Sequence, residues 1–233
     1  MNGIIKVPVP ANEPIYSYAP GTPEREELSA QMEKMLGEKI EIPLIIGGKE
    51  IKTGNFADCR CPHDHAHLLA RYHKAGAPEV EKAVKAAMEA WKDWSEMDWV
   101  SRAAIFLRAA ELLAGKYRYI LNAATMLGQS KTAYQAEIDS ACELIDFYRF
   151  NPYYMRQIYE EQPASARGIW DYMEYRSLEG FVFAVTPFNF TSIAGNLPTS
   201  PAMMGNTVLW KPASSAVYSA YFLMKLWKEA GVP

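Results

Sequence analysis

The chain has 233 residues, 49% of them hydrophobic and 22% charged, an ordinary composition for a globular protein of one or two domains. Its net charge of −3, from 24 basic and 27 acidic residues without a basic cluster, argues against nucleic acid as a main partner. No apolar run is long enough to cross a bilayer and three cysteines are too few for a disulfide scaffold, so we expect no membrane partner and a cytoplasmic, reducing location.

The N-terminal part is predicted to be extended and then helical. Residues 1–21 are rich in proline, show the pattern of neither a signal nor a transit peptide, and should run extended over the surface. Thr22 and Pro23 then predict a helix start, because threonine caps helices and proline fits their first turn. We expect this helix to end near Gly37.

Two β signals follow the first helix. Residues 41–51 predict two short strands joined at Gly47 and Gly48, as in a β-hairpin. Side chains of metal-ligand type then recur at spacings of two: Cys59, Cys61, His63, His65 and His67. An extended strand would spread them over roughly 26 Å, too far to converge on one ion, and no second ligand cluster follows at zinc-finger spacing. We therefore predict a solvated strand-turn-strand and no metal site.

Helical periodicity dominates the middle of the chain. From Ala77 to about Gly128, apolar residues recur at intervals of three and four, which predicts successive helices with one buried face each. Another helix is predicted over 132–150. Cys142 lies within it, and we predict a buried, unreactive thiol, because no helix N-terminus or cation lies near it in the sequence to stabilise a thiolate.

The last third of the chain has the pattern of an α/β fold. Residues 167–179 are aromatic and extended in character, and predict a strand or hairpin arm. The elements predicted next are a strand at 180–187, a helix at 191–204, a strand at 206–210 and a helix at 215–230. This β-α-β-α succession argues for a parallel sheet covered by helices.

Two polar residues mark the ends of the predicted parallel strands. Asn189 follows the first strand and Lys211 ends the second, where α/β sheets bind ligands. Asn189 is either a cap for the next helix or a donor to an oxyanion, and residue type alone favours the cap. Lys211 is either a surface lysine or a cation for hydroxyls or phosphate. The motifs GxGxxG and GxxxxGK(S/T) are missing, so nucleotide binding would need another geometry.

Two segments carry a resemblance to a known family. Residues 186–216, TPFNFTSIAGNLPTSPAMMGNTVLWKPASSA, resemble the aldehyde dehydrogenase pattern of strand, Pro-aromatic-Asn-Phe turn, Gly-Asn, strand and Lys-Pro. Residues 127–150, LGQSKTAYQAEIDSACELIDFYRF, are similar to the branch of that family that oxidises glutamate 5-semialdehyde to glutamate in proline catabolism. The resemblance extends from about residue 11 to the end of the chain. It implies an NAD-dependent enzyme with a small aldehyde substrate.

The resemblance implies a cofactor site. Thr186 matches a position whose backbone lines NAD, and Pro187 and Phe188 shape the same turn. Lys211 matches the lysine that hydrogen-bonds the adenosine ribose. Ser214 stands where many NAD-preferring members carry glutamate; serine repels a 2′-phosphate less than a carboxylate does, so NADP use stays open.

The resemblance also implies catalytic and substrate residues. Asn189 matches the asparagine whose amide helps to hold the tetrahedral oxyanion. Phe190 resembles the aromatic residue beside the aliphatic chain of the substrate. Glu137, in QAEID, is similar to a glutamate facing the substrate ammonium, and its alternative is an exposed helix carboxylate with no such role.

The family pattern continues beyond this chain. We expect residues 1–165 to form a helical part of the cofactor domain with a small hairpin, 166–179 an arm of a bridging, oligomer-forming β element, and 180–233 the first β-α-β-α of the NAD sheet. The catalytic domain, with its nucleophilic cysteine and general-base glutamate, is expected to be absent. The resemblance therefore implies the N-terminal portion of a homo-oligomeric enzyme, inactive by itself.

Two other hypotheses remain. In the first, the chain is a non-enzymatic module that associates through an unfinished sheet, with Leu209, Trp210 and their backbone groups exposed at its edge. In the second, it belongs to another aldehyde dehydrogenase branch with a different small aldehyde. The matches to QAEID and to the IDFYRFN segment argue against the second.

Overall fold

A computed structural model describes residues 5–233, which form an α/β structure with helices outnumbering strands. The helices are α1 (Pro23–Gly37), α2 (Ala77–Glu96), α3 (Trp99–Ala114), α4 (Arg118–Gln129), α5 (Ala133–Ala136), α6 (Leu144–Glu160), α7 (Thr191–Met203) and α8 (Val217–Ala230). The strands are β1 (Ile40–Ile42), β2 (Leu44–Ile46), β3 (Lys49–Ile51), β4 (Phe56–Cys61), β5 (Asp64–His73), β6 (Phe181–Val185) and β7 (Thr207–Lys211). The predicted fold class is confirmed.

Residues 5–21 are largely extended, as predicted, and are held in place by polar contacts; residues 1–4 of that prediction lie outside the described residues. Asp146 on α6 accepts hydrogen bonds from the Asn12 side chain at 2.7 Å and from the Glu13 backbone N–H at 2.8 Å. Helix α1 begins and ends where the sequence predicted. Thr22 occupies the N-cap position, as predicted, but its side chain makes no capping hydrogen bond, because its hydroxyl donates to the Ala19 carbonyl at 2.8 Å instead of accepting from the helix.

The small strands form two separate sheets. Strands β2 and β3 make the predicted antiparallel hairpin, and both turn glycines have positive φ, 55° at Gly47 and 70° at Gly48. Strands β4 and β5 pair antiparallel, and β1 adds parallel to β5. The predicted strand-turn-strand is thus confirmed, but it is not solvated throughout. Cys59 and Cys61 are buried in a hydrophobic cluster with Leu69, because this face packs on the helical layer.

Helices α3, α4, α6, α7 and α8 enclose the main core. Its buried members include Phe106, Leu113, Leu144 and Leu226. Helix α7 approaches α6 closely at Gly195, where an added Cβ would lie 2.6 Å from a methyl carbon of Leu144. This close approach fixes the position of α7 and therefore of the turn that precedes it.

The predicted helix at 132–150 is longer and less regular than expected. It runs from Ala133 to Glu160, and a π-helical segment, Glu137–Glu143, joins α5 to α6. Cys142 is buried in this segment, as predicted. A cation does lie nearby, since the Arg118 guanidinium is 3.6 Å from its sulfur, although it is remote in sequence. Burial and the neighbouring Glu137 carboxylate outweigh that cation and raise the pKa of Cys142 to about 12.

Strands β6 and β7 form the predicted parallel pair, with Phe181 opposite Thr207 and Val185 opposite Lys211. Helix α2 packs against both strands, and α7 connects them. The expectation that β7 is the exposed strand was wrong. Leu209 and Trp210 are half-buried, whereas Phe183 of β6 is 63% exposed, because alternate β6 side chains point away from the helices.

The strand or hairpin arm predicted at 167–179 does not form, since α6 is followed by no strand before β6 in the described part of the chain. Backbone groups of this segment form hydrogen bonds with side chains instead of with a neighbouring strand. The Gln162 amide accepts from the Met173 N–H at 2.7 Å and donates to its carbonyl at 3.2 Å. The Ser165 hydroxyl accepts from the Asp171 N–H at 3.0 Å. A loop results, with Trp170 86% exposed.

Among residues 5–233, no helix combines the length and apolar character that crossing a membrane requires. In the same residues, no group of three or more His, Cys, Asp or Glu side chains is arranged to hold a metal ion.

Candidate active site at the edge of the parallel strands

The predicted site residues cluster around the carboxyl ends of β6 and β7. The two strands are parallel and end in register, so the turn Thr186–Phe190 and the segment Lys211–Ser214 leave the same edge of the sheet. Backbone pairing continues one step further, because the Thr186 N–H donates to the Lys211 carbonyl at 3.3 Å. The structure therefore brings the predicted cofactor residues to one edge.

Thr186 starts the turn as a fixed, buried residue. It is 3% exposed, and its hydroxyl accepts a hydrogen bond from the Trp210 indole N–H at 3.0 Å. The Trp210 ring packs in turn against Trp227, with ring centroids 4.9 Å apart. This leaves the backbone of the turn, and not the Thr186 hydroxyl, available for a ligand.

The groups that follow Thr186 face outward. Phe188 is 65% exposed and Phe190 is 42% exposed, and the Asn189 side chain between them is also exposed. Lys211 and Ser214 are exposed at the end of the neighbouring strand. An ammonium group, a hydroxyl, an amide and apolar rings thus border one open edge.

The structure excludes the helix-cap alternative for Asn189. The N-cap position of α7 is Phe190, which has an extended backbone and no side-chain acceptor. The backbone N–H groups of Thr191 and Ser192 instead donate hydrogen bonds to the Asp139 carboxylate, at 3.0 and 2.9 Å. Residue type favoured the cap, but a carboxylate 50 residues earlier in the chain fills that role.

Glu137 is buried, so the exposed-carboxylate alternative was wrong. It is 0% exposed and accepts from the Tyr16 N–H at 2.9 Å, the Tyr18 hydroxyl at 2.6 Å and the Asn122 amide at 2.8 Å. The Arg118 guanidinium completes its contacts as an ion pair. Burial opposes its ionisation, but the hydrogen bonds from Arg118, Tyr18 and the Tyr16 N–H prevail and lower the pKa of Glu137. A role toward a substrate ammonium stays a prediction.

Sequence reasoning missed the polar residues behind the turn. Asp139 and Lys131 form an ion pair of 2.5 Å, and the Lys131 ammonium lies 4.3 Å from the centroid of the Phe190 ring. Gln129 donates to the Thr191 hydroxyl at 2.8 Å. A signal was present, because all three residues lie in the GQSKT and QAEID segments that carried the family resemblance.

The three cysteines of the chain are enclosed by protein groups. Cys59, Cys61 and Cys142 are all free and buried. Burial also raises the pKa of Cys59. A thiol that is buried and protonated at neutral pH is a poor nucleophile.

Comparison with known proteins agrees with this geometry. The sequence model of the aldehyde dehydrogenase family matches residues 50–233. A delta-1-pyrroline-5-carboxylate dehydrogenase of Agaricus bisporus is 54% identical over 231 residues, which are 98% of this chain and 42% of that relative. The mitochondrial enzyme of Mus musculus is 42% identical over 222 residues, or 95% of this chain and 40% of that relative.

Solved structures show the same partial coverage. The delta-pyrroline-5-carboxylate dehydrogenase of Mycobacterium tuberculosis bound with NAD is 52% identical, with a TM-score of 0.98 over 100% of this chain and 44% of that one. A 1-pyrroline-5-carboxylate dehydrogenase of Thermus thermophilus is 27% identical, with a TM-score of 0.89 over 98% of this chain and 44% of that one. The chain thus spans less than half the length of these relatives. It belongs to the aldehyde dehydrogenase family.

Proposed function

We propose that the chain forms the N-terminal portion of an NAD-dependent 1-pyrroline-5-carboxylate dehydrogenase, which oxidises L-glutamate 5-semialdehyde to L-glutamate in proline catabolism. The observation that carries the proposal is the exposed Asn189 turn beside Lys211 at the paired ends of β6 and β7. The names of the relatives support the choice of substrate and cofactor. In the overall reaction, the aldehyde, NAD⁺ and water give the carboxylate, NADH and protons.

The exposed groups at this edge fit a dinucleotide. NAD would supply the hydride acceptor. The Lys211 ammonium and the Ser214 hydroxyl are suited to ribose hydroxyls, while Pro187 and Phe188 offer an apolar surface and the backbone after Thr186 offers polar groups. Because Ser214 carries no charge, we propose that NADP is also accepted, less well than NAD.

Asn189 and Phe190 would serve the substrate side of the same turn. The exposed Asn189 amide can donate to the oxygen on which negative charge develops when the aldehyde is attacked. Phe190 presents the exposed part of its ring to an aliphatic chain, while Lys131 lies over the ring. Glu137 could reach a substrate ammonium only if residues 16–18 moved, since both of its oxygens are bound by protein groups here.

The nucleophile and the general base are proposed to lie outside these 233 residues. All three cysteines are buried, and the pKa of Cys142 is raised to about 12. The chain would therefore bind the cofactor side of the reaction and need a thiolate and a base from downstream sequence.

An assay of the whole gene product tests this proposal. Purified protein that includes the sequence downstream of Pro233 should form NADH from glutamate 5-semialdehyde and NAD, and should do so more slowly with short unsubstituted aldehydes. Residues 1–233 alone should give no NADH above the blank. Absence of turnover by the whole product with either NAD or NADP would refute the proposal, and turnover by 1–233 alone would refute the assignment of the nucleophile.

Location and assembly are part of the proposal. Three free thiols fit a reducing compartment, and we propose the cytoplasm, although relatives in Dictyostelium discoideum and Mus musculus are named as mitochondrial. We also propose a homo-oligomer with the loop at 166–179 as its arm, since Trp170 and Tyr172 are 86% and 65% exposed there. Cell fractionation and sedimentation of the whole product test these two points.

A second candidate function is association without catalysis. The observation that favours it is the apolar row on β6, where Phe181, Phe183 and Val185 are 37%, 63% and 54% exposed. Such a row beside an open strand edge suits pairing with a second copy of the chain.

A further inference from the structure

We propose that Asp139, together with Lys131, is a positioning residue for Asn189: it fixes the first turn of α7 and thereby the direction of the amide that would meet the oxyanion. This inference rests on the proposed function. It gives the GQSKT and QAEID segments a structural role, because residues of both segments contact Phe190, Thr191 and Ser192.

The first step is that Asp139 replaces a local helix cap. The first N–H groups of a helix have no partner within it and need an acceptor. Phe190 at the N-cap supplies none from its side chain, and the two oxygens of Asp139 accept from Thr191 and Ser192 at 3.0 and 2.9 Å. Asp139 is 2% exposed, so water cannot readily take its place. The start of α7 therefore depends on this carboxylate.

The second step is that Lys131 joins the cap to the turn itself. Its ammonium is 2.5 Å from Asp139 and also lies 4.3 Å from the centroid of the Phe190 ring. A buried carboxylate needs such a partner, and a cation over an aromatic face is attracted to it. Phe190 directly follows Asn189 in the chain. The ion pair therefore restricts the backbone on the C-terminal side of Asn189.

The third step is that the surrounding contacts leave α7 little freedom to rotate. The Thr191 hydroxyl is 2.8 Å from both the Thr125 hydroxyl and the Gln129 amide. The Ser192 hydroxyl donates to Glu143 at 2.5 Å. Thr191 and Ser192 are both 0% exposed. These contacts hold residues 190–192 in place. Asn189, immediately before them, is an exposed polar side chain.

A double-mutant cycle in the whole enzyme tests the inference. Asp139→Ala should lower kcat roughly ten- to a hundredfold and raise KM for NAD by a smaller factor, because Lys211 and Ser214 stay in place while Pro187 and Phe188 belong to the displaced turn. In an Asn189→Ala background, Asp139→Ala should lower kcat by less than about threefold, since no side-chain amide remains to be positioned. Fully additive losses would overturn the inference. Asp139→Asn, which keeps an acceptor oxygen, should fall between wild type and Asp139→Ala and provides a variant if alanine prevents folding.

A matched control separates positioning from general stability. Asp98 also accepts at a helix N-terminus, from the Ser101 N–H at 2.9 Å, but it caps α3. Asp98→Ala should lower the melting temperature and leave kcat unchanged. A loss of kcat in Asp98→Ala comparable to that in Asp139→Ala would count against positioning.

A spectroscopic readout on residues 1–233 does not depend on the reaction. Asp139→Ala and Lys131→Met should shift the NMR signals of the Asn189 side-chain amide and speed exchange of the Thr191 and Ser192 amides, with Asp98→Ala leaving them unchanged. Unaltered signals in both variants would overturn the inference. If the whole product oxidises no aldehyde while these shifts occur, the proposed function fails and the positioning of the turn is retained.

Discussion

At the scale of single residues, burial decides which polar groups can meet a ligand. Asn189 and Lys211 are exposed at a sheet edge, whereas Glu137 is completely enclosed. Residue type could not make this distinction. The contacts that enclose Glu137 come from Tyr16 and Tyr18, 121 and 119 positions away in the chain.

Under the proposed function, Asn189→Ala should lower kcat of the whole enzyme roughly a hundred- to a thousandfold, as the removal of an oxyanion donor does in other enzymes. The KM for NAD should change little, because the ribose groups lie on the neighbouring strand. Steady-state kinetics with the semialdehyde measure both values. A loss below about tenfold in a normally folded variant would rule out a large contribution from this amide.

Glu137→Gln should destabilise the chain and reduce its sensitivity to acid. The substitution removes the buried ion pair between Glu137 and Arg118, which should cost on the order of 1–3 kcal/mol, since Arg118 keeps the Glu13 carboxylate as a partner. The pKa of Glu137 is lowered in the folded state, so its contribution is present above the unfolded pKa of about 4.3 and is lost as pH falls through the folded value.

Urea unfolding of both proteins across this pH range measures the effect. The gap in unfolding free energy between wild type and Glu137→Gln should be largest near neutral pH and should narrow in acid. A gap that is independent of pH would show that the pKa of Glu137 is not lowered in the folded state.

At the scale of elements, periodicity in the sequence predicts the positions of most helices and strands, but not the side-chain contacts at every helix end. The bounds of α1 and the parallel β6–α7–β7 unit followed from apolar spacing, because each element buries one face. Two local predictions failed for a common reason. The Thr22 hydroxyl makes no capping hydrogen bond and 167–179 does not form a strand, since both outcomes depend on which partners the fold brings near.

The contact between α6 and α7 predicts a strict size limit at Gly195. Gly195→Ala would place a methyl group 2.6 Å from a Leu144 methyl carbon and should cost about 1–3 kcal/mol of stability. Adding Leu144→Ala to this variant should cost less than the about 2–5 kcal/mol expected for truncating a buried leucine, because the second substitution also removes the clash.

Gly37→Ala is the matched control for this position. A Cβ at Gly37 has no neighbour within 4 Å, so the substitution should change the free energy of unfolding little. Thermal denaturation of the four proteins measures these differences. A Gly195→Ala variant as stable as wild type would show that α7 can shift, and would weaken the idea that it is rigidly held.

At the scale of the whole molecule, the apolar side chains that the parallel pair leaves exposed lie on β6. Helices α2 and α7 contact both strands, while Phe181, Phe183 and Val185 of β6 stay exposed. The sequence predicted an exposed edge but assigned it to Leu209 and Trp210. It could not identify the covered face, because both strands are apolar and the helix that covers them is about 100 residues earlier.

This exposed face predicts that residues 1–233 associate with themselves. Burying one phenylalanine side chain contributes about 1.5–3 kcal/mol, so Phe183→Lys should weaken the dissociation constant of the dimer roughly tenfold or more. Tyr154→Lys is the matched control, since Tyr154 is 51% exposed on α6, away from the row on β6. Sedimentation equilibrium over a range of concentrations measures all three proteins. A wild-type chain that stays monomeric throughout, or a Tyr154→Lys effect as large as that of Phe183→Lys, would contradict association through β6 and leave this face to sequence from elsewhere in the whole enzyme.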